Sequence, residues 1–206
     1  MTLIDVRFGE LHEPQDFIWI DSTVRAVVNV FSGLPEEEAI LGLWELVCMT
    51  KYPASSSGAD DRHSLQAFPS NGGYRINSST DEFWNFPHET LGLEDKHGDR
   101  WGDCEDTSIT LCTLLRAYGI NANRVKVVIG DALGGAHAWV ELDGRDLETT
   151  LSSVPNSPWR TYPDYTPVWA FNDVMVEGNI AFVKKVNECE KLKRIGALWC
   201  HPTKQA

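Results

Sequence analysis

The 206-residue chain has no run of about 18 apolar residues, the length a membrane-spanning helix needs. Its start has no basic segment leading into an apolar stretch, so the expected compartment is the cytoplasm. Cysteine is sparse: Cys48, Cys104, Cys112, Cys189 and Cys200 form an odd set with no CxxC pair. That argues against a zinc site or a disulfide framework and for free thiols. Positive charge is short too, with 18 Lys and Arg against 30 Asp and Glu and a net charge of −12. Residues 184–206 hold six of the basic and two of the acidic residues, a local +4 that leaves −16 on the rest. Binding to phosphate backbones needs clustered Lys and Arg, so nucleic acid is excluded as the main partner. No membrane partner is expected, and oligomeric state is left open.

What is present fits one domain over residues 1–206, since 42% hydrophobic content can close a core. Residues 1–20 read as an irregular or extended lead-in with an apolar knot at Phe17, Ile18, Trp19 and Ile20. Asp21-Ser22 looks like a helix cap before Val24, Val27, Val28 and Phe31, and Gly33 ends that segment. Pro35 followed by Glu36, Glu37 and Glu38 starts a second helix, with Ile40, Leu43, Trp44 and Val47 as its buried stripe. Cys48 beside that stripe reads as core. Residues 53–80 are rich in Ser, Gly, Asn and Asp and form a long loop, either a lid over substrate or an insertion.

The richest stretch is Gly102-Asp103-Cys104-Glu105-Asp106. A helix is expected from Cys104 to about Tyr118, stopping at Gly119, with Cys104, Ser108, Leu111 and Leu115 on one face. Cys104 then sits one turn from the positive end of a helix, which favours thiolate. After it the period changes to two. Strands are expected at about 124–130, 136–142 and 145–150, with Asp143-Gly144 as a hairpin turn. One helix followed by an antiparallel meander defines an α+β layer structure. Residues 151–168, rich in Pro and Ser, cross the surface, and Ala181-Phe182-Val183 is a candidate last strand.

A nucleophilic cysteine needs a base and a third group to orient the base. Of six histidines, only His137 lies in a strand next to the Cys104 helix. A lone histidine among apolar residues is ordinarily a core residue, but consecutive elements pack together, which brings this one to the helix. Strand alternation puts His137, Trp139 and Glu141 on one face, and the hairpin returns Asp146 and Glu148 on the neighbouring strand. Either carboxylate can accept the imidazole N–H and fix its tautomer.

A helix-borne Cys, then His137-Ala138-Trp139 on a strand, then Leu147-Glu148-Thr149-Thr150 after a turn resembles the transglutaminase-like superfamily with its papain-like fold. Trp84-Asn85-Phe86-Pro87-His88-Glu89-Thr90-Leu91 ahead of Gly102-Asp103-Cys104-Glu105-Asp106 is similar to bacterial transglutaminase-like cysteine proteases and their archaeal and phage relatives. The match runs from about residue 81 to 150. It implies N-terminal helices, with the catalytic Cys at a helix N-terminus packed on an antiparallel sheet that carries His and acid. It makes Cys104 the nucleophile and His137 the base. The family's third residue is usually Asp, whereas Glu148 stands in that place, one methylene longer, with Asp146 in reserve. The oxyanion is expected on the Cys104 backbone N–H and on the indole of Trp84, for which plain core packing is the competing role.

The expected chemistry is acyl transfer on peptide or isopeptide amides of a protein or peptide substrate, through a Cys-His-acid triad and a thioester. Hydrolysis, as in a cysteine peptidase or amidase, is the first reading. Protein-glutamine transamidation uses the same residues, and a peptide-binding scaffold without turnover is the third. No cofactor is required. Asp103, Glu105 and Asp106 crowd the thiol with like charge, which opposes thiolate. They can bond backbone N–H groups at the helix start, face solvent, or hold a hard cation. The resemblance raises calcium for the last, since relatives with the same Asp-Cys-Glu-Asp string include calcium-dependent proteases.

Overall fold

The computed structural model describes residues 4–7, 10–50, 84–92, 100, 102–132, 135–150, 162 and 164–178. The loop at 53–80, the strand expected at 181–183 and the basic segment 184–206 lie outside them. In the lead-in, expected to be irregular or extended, the extended reading holds: β1 (Ile4–Arg7) pairs antiparallel with β2 (Glu10–His12), and a 3-10 turn follows over Pro14–Phe17. The knot after it is only partly core: Phe17 and Ile18 are buried, whereas Trp19 is exposed.

Helix α1 (Ser22–Val30) starts where the cap was expected, with the Asp21 carboxylate accepting the Val24 N–H at 2.9 Å. Helix α2 (Glu36–Cys48) buries Ala39, Ile40, Leu43, Trp44 and Val47, the stripe read from its spacing. Pro35 sits at its N-cap rather than inside its first turn. A short helix, α3 (Pro87–Gly92), went unread in the sequence. Proline at its first position and the Glu89 carboxylate accepting the Phe86 N–H at 2.6 Å are the signals that mark it.

Helix α4 (Cys104–Tyr118) has the expected bounds, and Gly119 closes it at φ +116°, a conformation glycine adopts without a Cβ clash. The expectation of a single apolar face fails. Every residue from Cys104 to Leu115 is buried, because α1, α2 and α3 pack around the helix while β3 (Val125–Ala132) and β4 (Gly135–Leu142) cover its remaining side. Thr107 and Thr113 bond locally, the Thr113 hydroxyl donating to the Ile109 carbonyl at 2.8 Å, whereas the buried hydroxyls of Ser108 and Thr110 have no partner among the described residues.

The sheet is antiparallel throughout and adds β5 (Arg145–Leu147), β6 (Thr166–Phe171) and β7 (Val176–Gly178), in the spatial order β5-β4-β3-β6-β7. The hairpin between β4 and β5 turns at Asp143 and Gly144, both at positive φ, as a two-residue primed turn demands. Strand β5 is shorter than expected, so Glu148 lies just past its end. Strand β6 corrects the reading of 151–168 as a surface crossing: from Thr166 onward the chain enters the sheet beside β3 and buries Trp169, Ala170 and Phe171.

One face of the sheet, with Val125, Val127, Val140, Leu142, Leu147, Trp169 and Phe171, joins the helices in the main core. The other face carries a smaller cluster of Val128, Ala132, Trp139, Tyr165 and Ala170. Gly130 sits where β6 passes closely. A Cβ there would strike the Thr166 carbonyl and come within 2.9 Å of the Trp139 ring. Among the described residues no helix is long and apolar enough to cross a membrane.

Candidate active site

The start of α4 is built by two acids that cap each other's backbone. The Asp103 carboxylate accepts the Asp106 N–H, and the Asp106 carboxylate accepts the Asp103 N–H at 3.4 Å. Asp106, wholly buried, also accepts the Asn85 N–H at 2.7 Å and the Asn85 side-chain amide at 2.9 Å. That ties the segment before α3 to the first turn of α4. Gly102 leaves room for this arrangement, since a Cβ there would lie 2.9 Å from that of Asp106. The crowd of acids is thus partly resolved by the first route expected, backbone capping. Such carboxylates also face the positive end of the helix.

Cys104 is buried, and its thiol donates to Glu105 Oε2 at 3.1 Å. Ligand atoms of Asp103, Cys104 and Glu105 lie within 4.8 Å of one another, while Asp106 falls outside that group. The other two described thiols are of a different kind. Burial pushes the Cys48 thiol up to about 12, with the negative charges of Glu148 and Glu45 adding to the effect. Burial likewise pushes Cys112 far above the ordinary thiol range.

His137 and Glu148 meet directly, Nε2 to Oε2 at 2.7 Å, with side chains 10% and 1% exposed. Alternation reads correctly: His137 shares a face of β4 with Trp139, whose ring stacks at 6.3 Å. That face carries the small second cluster, and the imidazole reaches the carboxylate where β5 has ended. Glu148 Oε1 accepts the Thr149 N–H at 2.8 Å, the Thr150 N–H at 2.7 Å and the Thr150 hydroxyl at 2.8 Å. Oε2 accepts the Tyr165 hydroxyl at 2.6 Å as well as the His137 nitrogen. Burial alone would raise this carboxyl. The hydrogen bond and charge of His137, with the donors from Tyr165 and Thr150, outweigh it and bring the group down to about 2. Because Nε2 is committed to Glu148, Nδ1 is the ring nitrogen left for proton transfer.

Asp146, the reserve acid, points elsewhere and accepts the Tyr162 N–H at 3.2 Å. Burial raises its carboxyl above the usual range, opposed by that bond. Trp84, expected as an oxyanion donor or as packing, is 4% exposed and stacks on Phe171 at 5.7 Å and Trp169 at 6.2 Å. Its ring is therefore part of the core. The helix and the acid turn are joined by a bond that no local pattern signals, in which the Thr149 hydroxyl donates to the Thr107 hydroxyl at 2.8 Å. Trp44 on α2 adds a second tie, its indole N–H donating to the Glu148 carbonyl at 2.7 Å. Tyr165 also went unread. It lies in the Pro-rich segment, where nothing in the local pattern places it near a carboxylate.

The fold defined by this layering is the papain-like, transglutaminase type, α+β with Cys104 at a helix start, His137 on the sheet and Glu148 just past a strand end. No protein-family model matches the chain, and no curated protein matches it. Among solved structures it is similar to Legionella pneumophila LapG, at 17% identity and a TM-score of 0.51. That match covers 88% of this chain and 94% of that one. An EGTA-treated form of LapG matches at 17% identity and a TM-score of 0.49, over 88% of this chain and 95% of that one. A calcium-bound form matches at 18% identity and a TM-score of 0.39, over 79% and 96%. At such identity the likeness shows the fold.

Proposed function

We propose that the protein is a cysteine peptidase or amidase acting on peptide or isopeptide amides, with Cys104 as nucleophile, His137 as base and Glu148 as the orienting acid. The observation that carries this reading is the buried His137–Glu148 pair, held at 2.7 Å, with the acid one residue from Thr149, whose hydroxyl bonds Thr107 on the Cys104 helix. A histidine kept in one tautomer by an ionised, fully bonded carboxylate is what a general base requires, and a merely structural histidine has no need of it.

In the reaction, the Cys104 thiol gives its proton to His137 Nδ1 as the sulfur attacks the amide carbonyl. The C–N bond breaks, the imidazolium returns the proton to the departing amine, and a thioester forms. Water attacks the thioester with His137 again taking a proton, which then passes to the leaving sulfur, so the thiol and the free acid are released. The oxyanion is assigned to the backbone N–H of Cys104, at the positive end of α4. Glu148 stays ionised throughout and stabilises the imidazolium.

The donors around Cys104 fit a hard cation in part. Asp103 and Glu105 supply converging carboxylates, the thiol is a soft third neighbour, and Asp106 is committed to the cap. Calcium bound there would offset the negative charge beside the sulfur.

The test is alkylation of Cys104 at neutral pH, followed by mass spectrometry, together with hydrolysis of a peptide library. Cys104 is expected to react ahead of Cys48 and Cys112 and to lose at least tenfold in rate in His137→Ala, about 1.4 kcal/mol. Equal reaction of the thiols, unchanged by that substitution, overturns the reading in favour of a scaffold without turnover. Adding a primary amine to the assay separates hydrolysis from transamidation.

A further inference from the structure

Glu148 stands where a shorter acid would do, and a glutamate has one more side-chain torsion to fix. The turn meets part of that demand. Three donors from Thr149 and Thr150 fold the side chain back on its own backbone and hold Oε1. Oε2, the oxygen that faces His137, has a different second partner. The Tyr165 hydroxyl reaches it at 2.6 Å from just before β6, which β3 separates from the His137 strand.

Tyr165 is itself held. Its ring lies against Trp139 at 4.9 Å and stacks on Tyr162 at 4.6 Å and 18°, and its N–H donates to the Tyr162 carbonyl at 3.1 Å. It meets the His137 ring edge-on at 5.6 Å and 78°. One side chain thus touches both members of the pair, the carboxylate through its hydroxyl and the imidazole through its ring.

We propose that Tyr165 is the positioning residue of the His137–Glu148 pair, fixing which carboxylate oxygen the imidazole meets and how the ring is turned. A tyrosine serving only as core filler would satisfy its hydroxyl on solvent or a carbonyl, whereas this one donates to an ionised carboxylate where a charge-assisted bond is strong. Burial and the charge of Glu148 keep the phenol protonated, so it remains a donor throughout the ordinary pH range. The hydroxyl shares Oε2 with the imidazole, so its loss concentrates negative charge on the remaining bond. Loss of the ring as well frees the imidazole to rotate.

The proposal rests on the catalytic reading only in calling the pair functional. Its test is spectroscopic and needs no substrate. Proton and nitrogen NMR of His137 in the full chain reports the Nε2–H resonance and the tautomer. Tyr165→Phe is expected to move the Nε2–H proton further downfield with the tautomer kept. Tyr165→Leu is expected to mix the tautomers and slow Cys104 alkylation about tenfold, the size of one hydrogen bond to a charged group. Resonance and tautomer unchanged in both variants overturn the proposal. If Tyr165→Leu does not fold, the Phe variant alone decides. A changed His137 signal with Cys104 alkylation indifferent to His137→Ala would sink the catalytic reading and leave the positioning role standing.

Discussion

Thr149 donates its hydroxyl to the hydroxyl of Thr107 at 2.8 Å, and Thr107 in turn donates to the Asp103 carbonyl at 2.8 Å. The first residue neighbours Glu148; the second lies one turn along the helix that begins at Cys104. This chain of two bonds fixes the acid turn against the helix start. Replacing either residue by valine keeps the shape and removes the donor. Each single change is expected to cost about 1–2 kcal/mol, since it strands a buried partner. A double-mutant cycle by chemical denaturation is expected to show coupling of about 1 kcal/mol, and strict additivity would mean that the hydroxyls do not interact.

Glu148 links stability to acid. Its carboxyl is depressed from 4.5 to about 2 in the folded chain. A depressed acid contributes stability that is present above the unfolded value and lost as pH falls through the folded one. The window therefore runs from about 4.5 down to about 2, with roughly 3 kcal/mol at stake. Denaturation of the parent at steps from pH 5 to 2.5 should show this decline. Glu148→Gln should be less stable at pH 5 and show a flatter slope. Parallel curves for the two proteins would remove the linkage.

The two acids of the β5 segment should separate cleanly. Asp146 spends its carboxylate on the Tyr162 N–H, whereas Glu148 holds the imidazole. Glu148→Ala is expected to slow Cys104 alkylation at least tenfold and to cost about 3 kcal/mol, the lower end for breaking a buried pair. Asp146→Ala should leave the alkylation rate within about twofold, since the carboxylate accepts the Tyr162 N–H and does not meet the imidazole. The reverse ranking would make Asp146 the third residue.

Asp106 is expected to act through the fold. Asp106→Ala strands the Asn85 N–H and amide together with the Asp103 N–H, at a cost of about 3 kcal/mol or more. Thermal denaturation measures it. By contrast, Asp103→Asn and Glu105→Gln should leave the midpoint within a few degrees and abolish any calcium-dependent rise in it. A chelator-insensitive midpoint and alkylation rate in the parent would remove the cation from the site.

Much of this fold is legible in the sequence. Helix α4 is announced by acids at its start, a 3.6-residue period and Gly119 at its end, all local signals that the chain enforces on itself. The β4–β5 hairpin is equally local, since Asp143-Gly144 admits the positive φ its turn requires. Cys104 and His137 stand at fixed places in such elements, whereas the choice of Glu148 over Asp146 rested on the family resemblance. Strand β6 was missed because Pro167 and the proline-rich approach argue against a strand. Its place beside β3 comes from burying Trp169 and Phe171 in a core that the local pattern does not display.

The sequence by itself therefore determined helices α1, α2 and α4 and the β3–β4–β5 meander, since caps, turns and periodicity act over a few residues. Only the tertiary structure decided the side-chain partners. It gave Glu148 rather than Asp146 to the imidazole, committed Asp106 to Asn85, turned Trp84 into the core and brought Tyr165 to the carboxylate. Those outcomes depend on bonds between residues far apart in the chain, whose geometry exists only once helix and sheet have packed.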